Sequence, residues 1–151
     1  MEAAEPRFDP QLLETLRRAR SAAVLTGAGF SAESGVPTFR DAQTGLWARF
    51  RPEELATPEA FAAHPRRVWE WYAWRRRLVA RAQPHAGHRA LVVLQERLPR
   101  LCVITQNVDG LHQRSGSREV IELHGNIMRN RCSGDCGVIE EPVPDEPAPP
   151  P

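Results

Sequence analysis

The chain has 151 residues, a formal net charge of +1 and 41% hydrophobic residues. That is one domain's length with enough apolar material for a core, and the near-zero charge argues against a bulk electrostatic grip on nucleic acid or anionic lipid. All 20 basic residues are arginine, which together with the many alanines and prolines reads as a G+C-rich coding bias. Three cysteines do not make a disulfide scaffold. No run of about 18 apolar residues is available to span a membrane, and the acidic start "MEAAEPRFDP" lacks the apolar stretch of a signal peptide. The expectation is a soluble, cytoplasmic protein with neither nucleic acid nor membrane as partner.

In chain order, Asp9-Pro10 predicts a helix start, an N-cap acceptor followed by proline at the first helical position, with Leu12, Leu13, Leu16 and Ala19 as its core face. "AAVLTGAG" (22–29) predicts a buried parallel strand running into a tight glycine turn. Residues 32–50 hold too many breakers for a regular element, and a loop of that length is uncommon unless it is functional or disordered. Helices follow at 58–63, at 65–82 and at 84–98, the last with Leu91, Leu94 and Leu98 on one face. "RLCVITQN" (100–107) and "EVIELHG" (119–125) predict two further strands, with Cys102 a buried small hydrophobe. Strands alternating with helices imply an α/β fold around a parallel sheet. From Glu140 onward the proline-rich tail is expected to be extended or disordered.

Three strand ends gather the polar chemistry. Gly27, Gly29 and Ala32 satisfy G-x-G-x-x-G/A directly after a strand, a context in which bare backbone can approach a pyrophosphate. The alternative is a plain tight turn, and the acidic residue that ordinary dehydrogenases carry about twenty positions later is missing. Gln106, Asn107, Asp109 and His112 follow the second strand with groups able to hold a ribose or a carboxamide. His124 ends the third strand on the same sheet edge, where open α/β sheets bind their ligands.

The helix at 65–82 poses a separate question. Val68, Trp71, Tyr72, Leu78, Val79 and Ala82 form an apolar stripe, and Arg75 falls within it while Arg76 and Arg77 fall on the other side. A guanidinium facing inward beside a tyrosine cannot be neutralised and so needs a partner or a route to solvent. The alternatives are an ion pair with Glu53, Glu54 or Asp41, or a snorkelling side chain.

"GAGFSAESGVPTFRD", "TQNVDGLH", "HG" and "PHAGHRAL", in this order over about residues 10 to 137, resemble the sirtuin family of NAD-dependent protein deacylases. The resemblance implies a Rossmann-like domain (9–130, its N-terminal part), the start of a zinc-binding module (131–141) and a linker or tail (142–151). It implies that Gly27, Ala28, Gly29, Ser31, Phe39 and Arg40 line the NAD pocket, that Gln106 and Asn107 contact the nicotinamide ribose, and that Asp109 contacts the carboxamide. His124 would be the general base, with Asn107 beside it, and an imidazole suits proton transfer near neutrality. In the implied reaction the acyl oxygen of an acylated lysine attacks C1′ of the ribose, nicotinamide leaves, and the acyl group ends on ADP-ribose.

A subgroup of the family carries Tyr-x-x-Arg beside the acyl pocket and prefers succinyl, malonyl and glutaryl groups. Tyr72 and Arg75 match it. "CSGDC" places Cys132 and Cys136 at the family's first zinc knuckle, with three residues between them where two are usual, and supplies half of a tetrahedral site. The chain is thus expected to be the N-terminal part of such an enzyme, with plain deacetylation as the lesser activity. The rival expectation is a non-catalytic nucleotide- or partner-binding fragment, inactive without a C-terminal half.

Overall fold

The computed structural model describes residues 8–36, 49–132 and 134, and the backbone of 138–140. Phe39, Arg40, Asp41, Cys136 and the proline-rich tail lie outside these residues.

Helix α1 (Pro10–Arg18) starts as its capping signal requires, with the Asp9 carboxylate accepting from Gln11 N at 2.7 Å. Strand β1 (Ser21–Thr26) leads through Gly27 into the short helix α2 (Ala28–Ala32). A 3₁₀ turn (Pro52–Glu54) precedes α3 (Pro58–Ala63) and the long α4 (Pro65–Arg81), both begun by proline at the first helical position. Then come α5 (Ala86–Arg97), β2 (Arg100–Thr105), α6 (Leu111–Arg114), β3 (Val120–Glu122) and the hairpin of β4 (Arg129–Arg131) with β5 (Val138–Glu140).

Strands β1, β2 and β3 form a parallel sheet in that order, with Val24 opposite Val103, and Val103 opposite Val120. Parallel partners in register share a face. Leu101 and Val103 therefore turn with Ala22, Val24 and Val120 toward Leu91 of α5, and this is the core. The opposite face has no such cover among the described residues: Leu25 is 67%, Ile121 50% and Leu123 51% exposed. The strands expected to be buried are exposed on that side, and Cys102, expected to be a buried hydrophobe, is only half-buried there.

Three helix faces are also corrected. No residue of α1 is buried, and its Leu12 and Leu16 are about half exposed. In α5 the inward positions are His88 and Leu91, while Leu94 points outward. Helix α4 buries Val68, Trp71, Ala73, Arg76 and Val79. Arg76, expected on the charged side, is the most buried of the three arginines, whereas Arg75 and Arg77 are half-buried. Both guanidinium groups stack on tryptophan: that of Arg75 lies 5.0 Å from the Trp71 ring centre and that of Arg76 5.0 Å from Trp69, a favourable cation–π arrangement. Among the described residues no helix is long and apolar enough to cross a membrane.

Candidate active site

Two loops at the carboxyl edge of the sheet lock together through buried polar groups. Ser31 of α2 donates to Asp109 Oδ2 at 2.6 Å and accepts from Asn107 Nδ2 at 2.8 Å. The second N–H of Asn107 Nδ2 donates to the Gly27 carbonyl at 2.9 Å, and its backbone N–H donates to Thr105 Oγ1 at 3.0 Å. Asp109 Oδ1 accepts from Leu111 N at 2.9 Å, starting α6 after Gly110, whose φ of 68° is one that side-chain-bearing residues rarely adopt. Ser31, Asn107 and Asp109 are all buried. With both amide hydrogens of Asn107 engaged, only its side-chain oxygen remains to accept from a ligand.

Gly27 and Gly29 stand beside this lock with open space where a Cβ would be. Ala28, Gly29 and Gln106 are exposed, so the polar lock has a solvent-facing rim.

His112 departs from its expected place in the ligand group. It is 1% exposed and bonds Thr26 Oγ1 through Nε2 at 2.9 Å, which turns it under the sheet edge. There it belongs to a cluster of rings around Phe30, whose centre lies 5.0 Å from His85, 4.8 Å from His88 and 5.2 Å from His112. His85 Nδ1 accepts from Gly87 N and Nε2 donates to the Phe30 carbonyl, so the tautomer is determined. His88 is fully buried, and burial holds its imidazole down at about 4, with His112 and His85 pushing the same way. Burial also lowers His112, against the opposing pull of Asp109. Sequence reading missed this cluster. Its signal was the histidine pair of "PHAGHR" at a helix start.

A cavity of about 1040 Å³ opens beside these loops. Tyr72, Arg75 and Arg76 of α4 line it together with Val108, His124 and Ile127. Burial lowers the Arg75 pKa from its usual value, and the Tyr72 side chain opposes this. Cys132 also lines the cavity. Among the described residues no group of three or more His, Cys, Asp or Glu side chains could hold a metal.

Residues 27–145 match the Sir2 family model. The chain belongs to the Sir2 family. It is 63% identical over 113 residues to an NAD-dependent protein deacylase of Aquifex aeolicus, covering 75% of this chain and 46% of that protein. It is 53% identical over 142 residues to an NAD-dependent protein deacylase of Methylococcus capsulatus, covering 93% and 56%. Among solved structures, a Sir2 homolog–NAD complex superimposes with a TM-score of 0.82 at 51% identity, over 94% of this chain and 56% of that one. The chain thus spans about half the length of the Sir2 relatives it matches. The Rossmann-like α/β class expected from the motifs is the fold of this family member.

Proposed function

We propose that the chain carries the catalytic base and part of the NAD site of an NAD-dependent protein deacylase that acts on lysines bearing acidic acyl groups, succinyl and malonyl ahead of acetyl. The observation that carries this reading is one shared cavity: Tyr72 and Arg75 on α4 line the same space as His124 on the loop after β3. A guanidinium can grip both oxygens of a carboxylate, and the tyrosine hydroxyl adds a third donor.

The chain's own residues fit NAD. The open space over Gly27 and Gly29 leaves room for a phosphate against bare backbone. Gln106 and the free oxygen of Asn107 would take ribose hydroxyls, and Asp109, held by Ser31, would take the carboxamide. Bound NAD supplies the ribose carbon to which the acyl oxygen is transferred as nicotinamide departs. His124 would take the proton from the ribose hydroxyls, a task matched to an imidazole near neutral pH. Tyr72 and Arg75 would orient the acyl chain by its distal carboxylate. Cys132 is disulfide-bonded in this structure, so Cys132 and Cys136 would provide two of four tetrahedral zinc ligands only as reduced thiolates.

The test is a mass-spectrometric assay of the protein with NAD and one peptide carrying either succinyl-lysine or acetyl-lysine. Nicotinamide release with formation of acyl-ADP-ribose is expected, faster from the succinyl peptide. Binding of ADP-ribose without acyl transfer from either peptide would reject the enzyme reading in favour of a nucleotide-binding fragment that needs a second half.

A further inference from the structure

The ring of His124 has no hydrogen bond of its own among the described residues, and the residue is exposed. Its place over the cavity therefore depends on the backbone that carries it. That backbone is the turn between β3 and β4, in which Gly125 adopts a φ of 72°. The turn is tied down at both ends: Leu123 N donates to the Thr105 carbonyl at 2.8 Å and Ile127 N to the Val108 carbonyl at 2.8 Å.

Across the turn runs a single carboxylate. Glu122, the last residue of β3 and the register partner of Thr105, has a side chain only 10% exposed. Its Oε1 accepts from Gln113 of α6 at 2.8 Å and from Asn126 at 2.7 Å, and its Oε2 pairs with the Arg129 guanidinium at the start of β4. The same Asn126 accepts from Met128 N through Oδ1 at 2.9 Å, so Glu122 also orients the side chain that shapes the far half of the turn. A surface ion pair would contribute little. A nearly buried carboxylate gathering three donors from three places along the chain is a constraint on geometry, because its removal leaves those donors without their acceptor.

We infer that Glu122 is the positioning residue for His124: its carboxylate clamps α6, Asn126 and Arg129 together and so holds the turn that presents the histidine to the cavity. This rests on the reading of His124 as the base. The clamp itself is a statement about the turn and can be tested without turnover.

The experiment compares wild type with Glu122→Gln and Glu122→Asp by amide hydrogen exchange over residues 123–128, by the imidazole proton signals of His124, and by kcat and KM for NAD. In Glu122→Gln, exchange at Ile127 and Met128 is expected to quicken by about tenfold or more, and the His124 signal to broaden or split. The value of kcat should fall by about tenfold or more while KM for NAD stays within about twofold. Glu122→Asp should recover part of each change. Should Glu122→Gln fail to fold, Gln113→Ala and Asn126→Ala each remove one donor and should loosen the same amides. Wild-type exchange and an unchanged His124 signal in folded Glu122→Gln would overturn the inference, as would a rise in KM for NAD with kcat intact. Loosened exchange in the variant, with no acyl transfer by the wild type, would uphold the clamp and remove the assigned chemistry instead.

Discussion

The Ser31 hydroxyl donates to the Asp109 carboxylate at 2.6 Å, joining two buried residues 78 positions apart in the chain. It is the bond by which the glycine turn after β1 is fastened to the loop after β2, and Asn107 closes it from the other side. Ser31→Ala should cost about 1–3 kcal/mol, the range for leaving a buried charged acceptor and an amide donor short of a partner. Chemical denaturation would measure the loss. Titration with ADP-ribose should show weaker binding, since the Asn107 amide that holds the Gly27 carbonyl loses its Ser31 partner.

Replacing Arg75 separates the pocket role from a packing role. If Arg75 binds the distal carboxylate, Arg75→Met should reduce kcat/KM for a succinyl peptide by on the order of 30- to 1000-fold, equivalent to about 2–4 kcal/mol for truncating one partner of a desolvated charge pair, and spare the acetyl peptide. Tyr72→Phe should act in the same direction by only about 0.5–1.5 kcal/mol, the contribution of one neutral donor. The measurement is the succinyl-to-acetyl ratio on one peptide. An unchanged ratio with a lowered melting temperature would return Arg75 to packing against Trp71 within α4.

Acid should loosen the ring cluster under the glycine turn. His88 is neutral in the fold, its pKa held at about 4 by burial and by the neighbouring His112 and His85, with Asp109 opposing and Arg89 adding slightly to the lowering. Glu33 stands 3.8 Å from His85 on the outer side. The unfolded chain binds the proton at the ordinary value of 6.5, so between that value and about 4 the unfolded state holds more protons than the native one. Stability is therefore complete above pH 6.5 and falls with decreasing pH across that window, by roughly 3 kcal/mol in all for this one group. Denaturation midpoints at pH 7 and pH 4.5 would show the loss, and in His88→Gln the pH slope should be shallower.

Arg114 ties the site to the acyl-side helix. Its guanidinium donates to the carbonyls of Val79 at 3.0 Å and Ala82 at 2.7 Å, which satisfies the carbonyl end of α4 with a cation. Arg114→Met should lower stability by about 1–3 kcal/mol. It should also speed amide exchange in the last turn of α4 while leaving β1 and β2 unchanged. Uniform loosening across the sheet would argue against a local tie.

Metal analysis of the chain should find less than one zinc per molecule. The sequence holds three cysteines, of which Cys102 lies in the sheet and Cys132 is disulfide-bonded in this structure, so even full reduction leaves only two thiolates for a site that needs four ligands. One zinc per chain that survives mild chelation would show that other ligands complete the site.

Much of this molecule was legible in local sequence because the signals were local. Asp9-Pro10, Thr57-Pro58 and His64-Pro65 each mark a helix start through proline's fixed φ and missing N–H. The apolar runs around Val24 and Val103 specify parallel strands, and the glycines after Thr26 specify the turn. Periodicity also placed Tyr72 and Arg75 on one stretch of helix. What it could not decide was which flank of a wide stripe meets a partner. Arg76 is buried and Leu94 exposed because Trp69 and the position of α5 over β2, neither encoded in the spacing, determine which side is covered. The same holds for the polar groups. The sequence delivers Ser31, Asn107, Asp109, His112 and Glu122 to one sheet edge, and only the tertiary structure assigns their partners. It turns His112 inward to Thr26, closes Ser31 on Asp109, and sets Glu122 across the turn that carries His124, because a hydrogen bond depends on distances between segments that chain position alone leaves open.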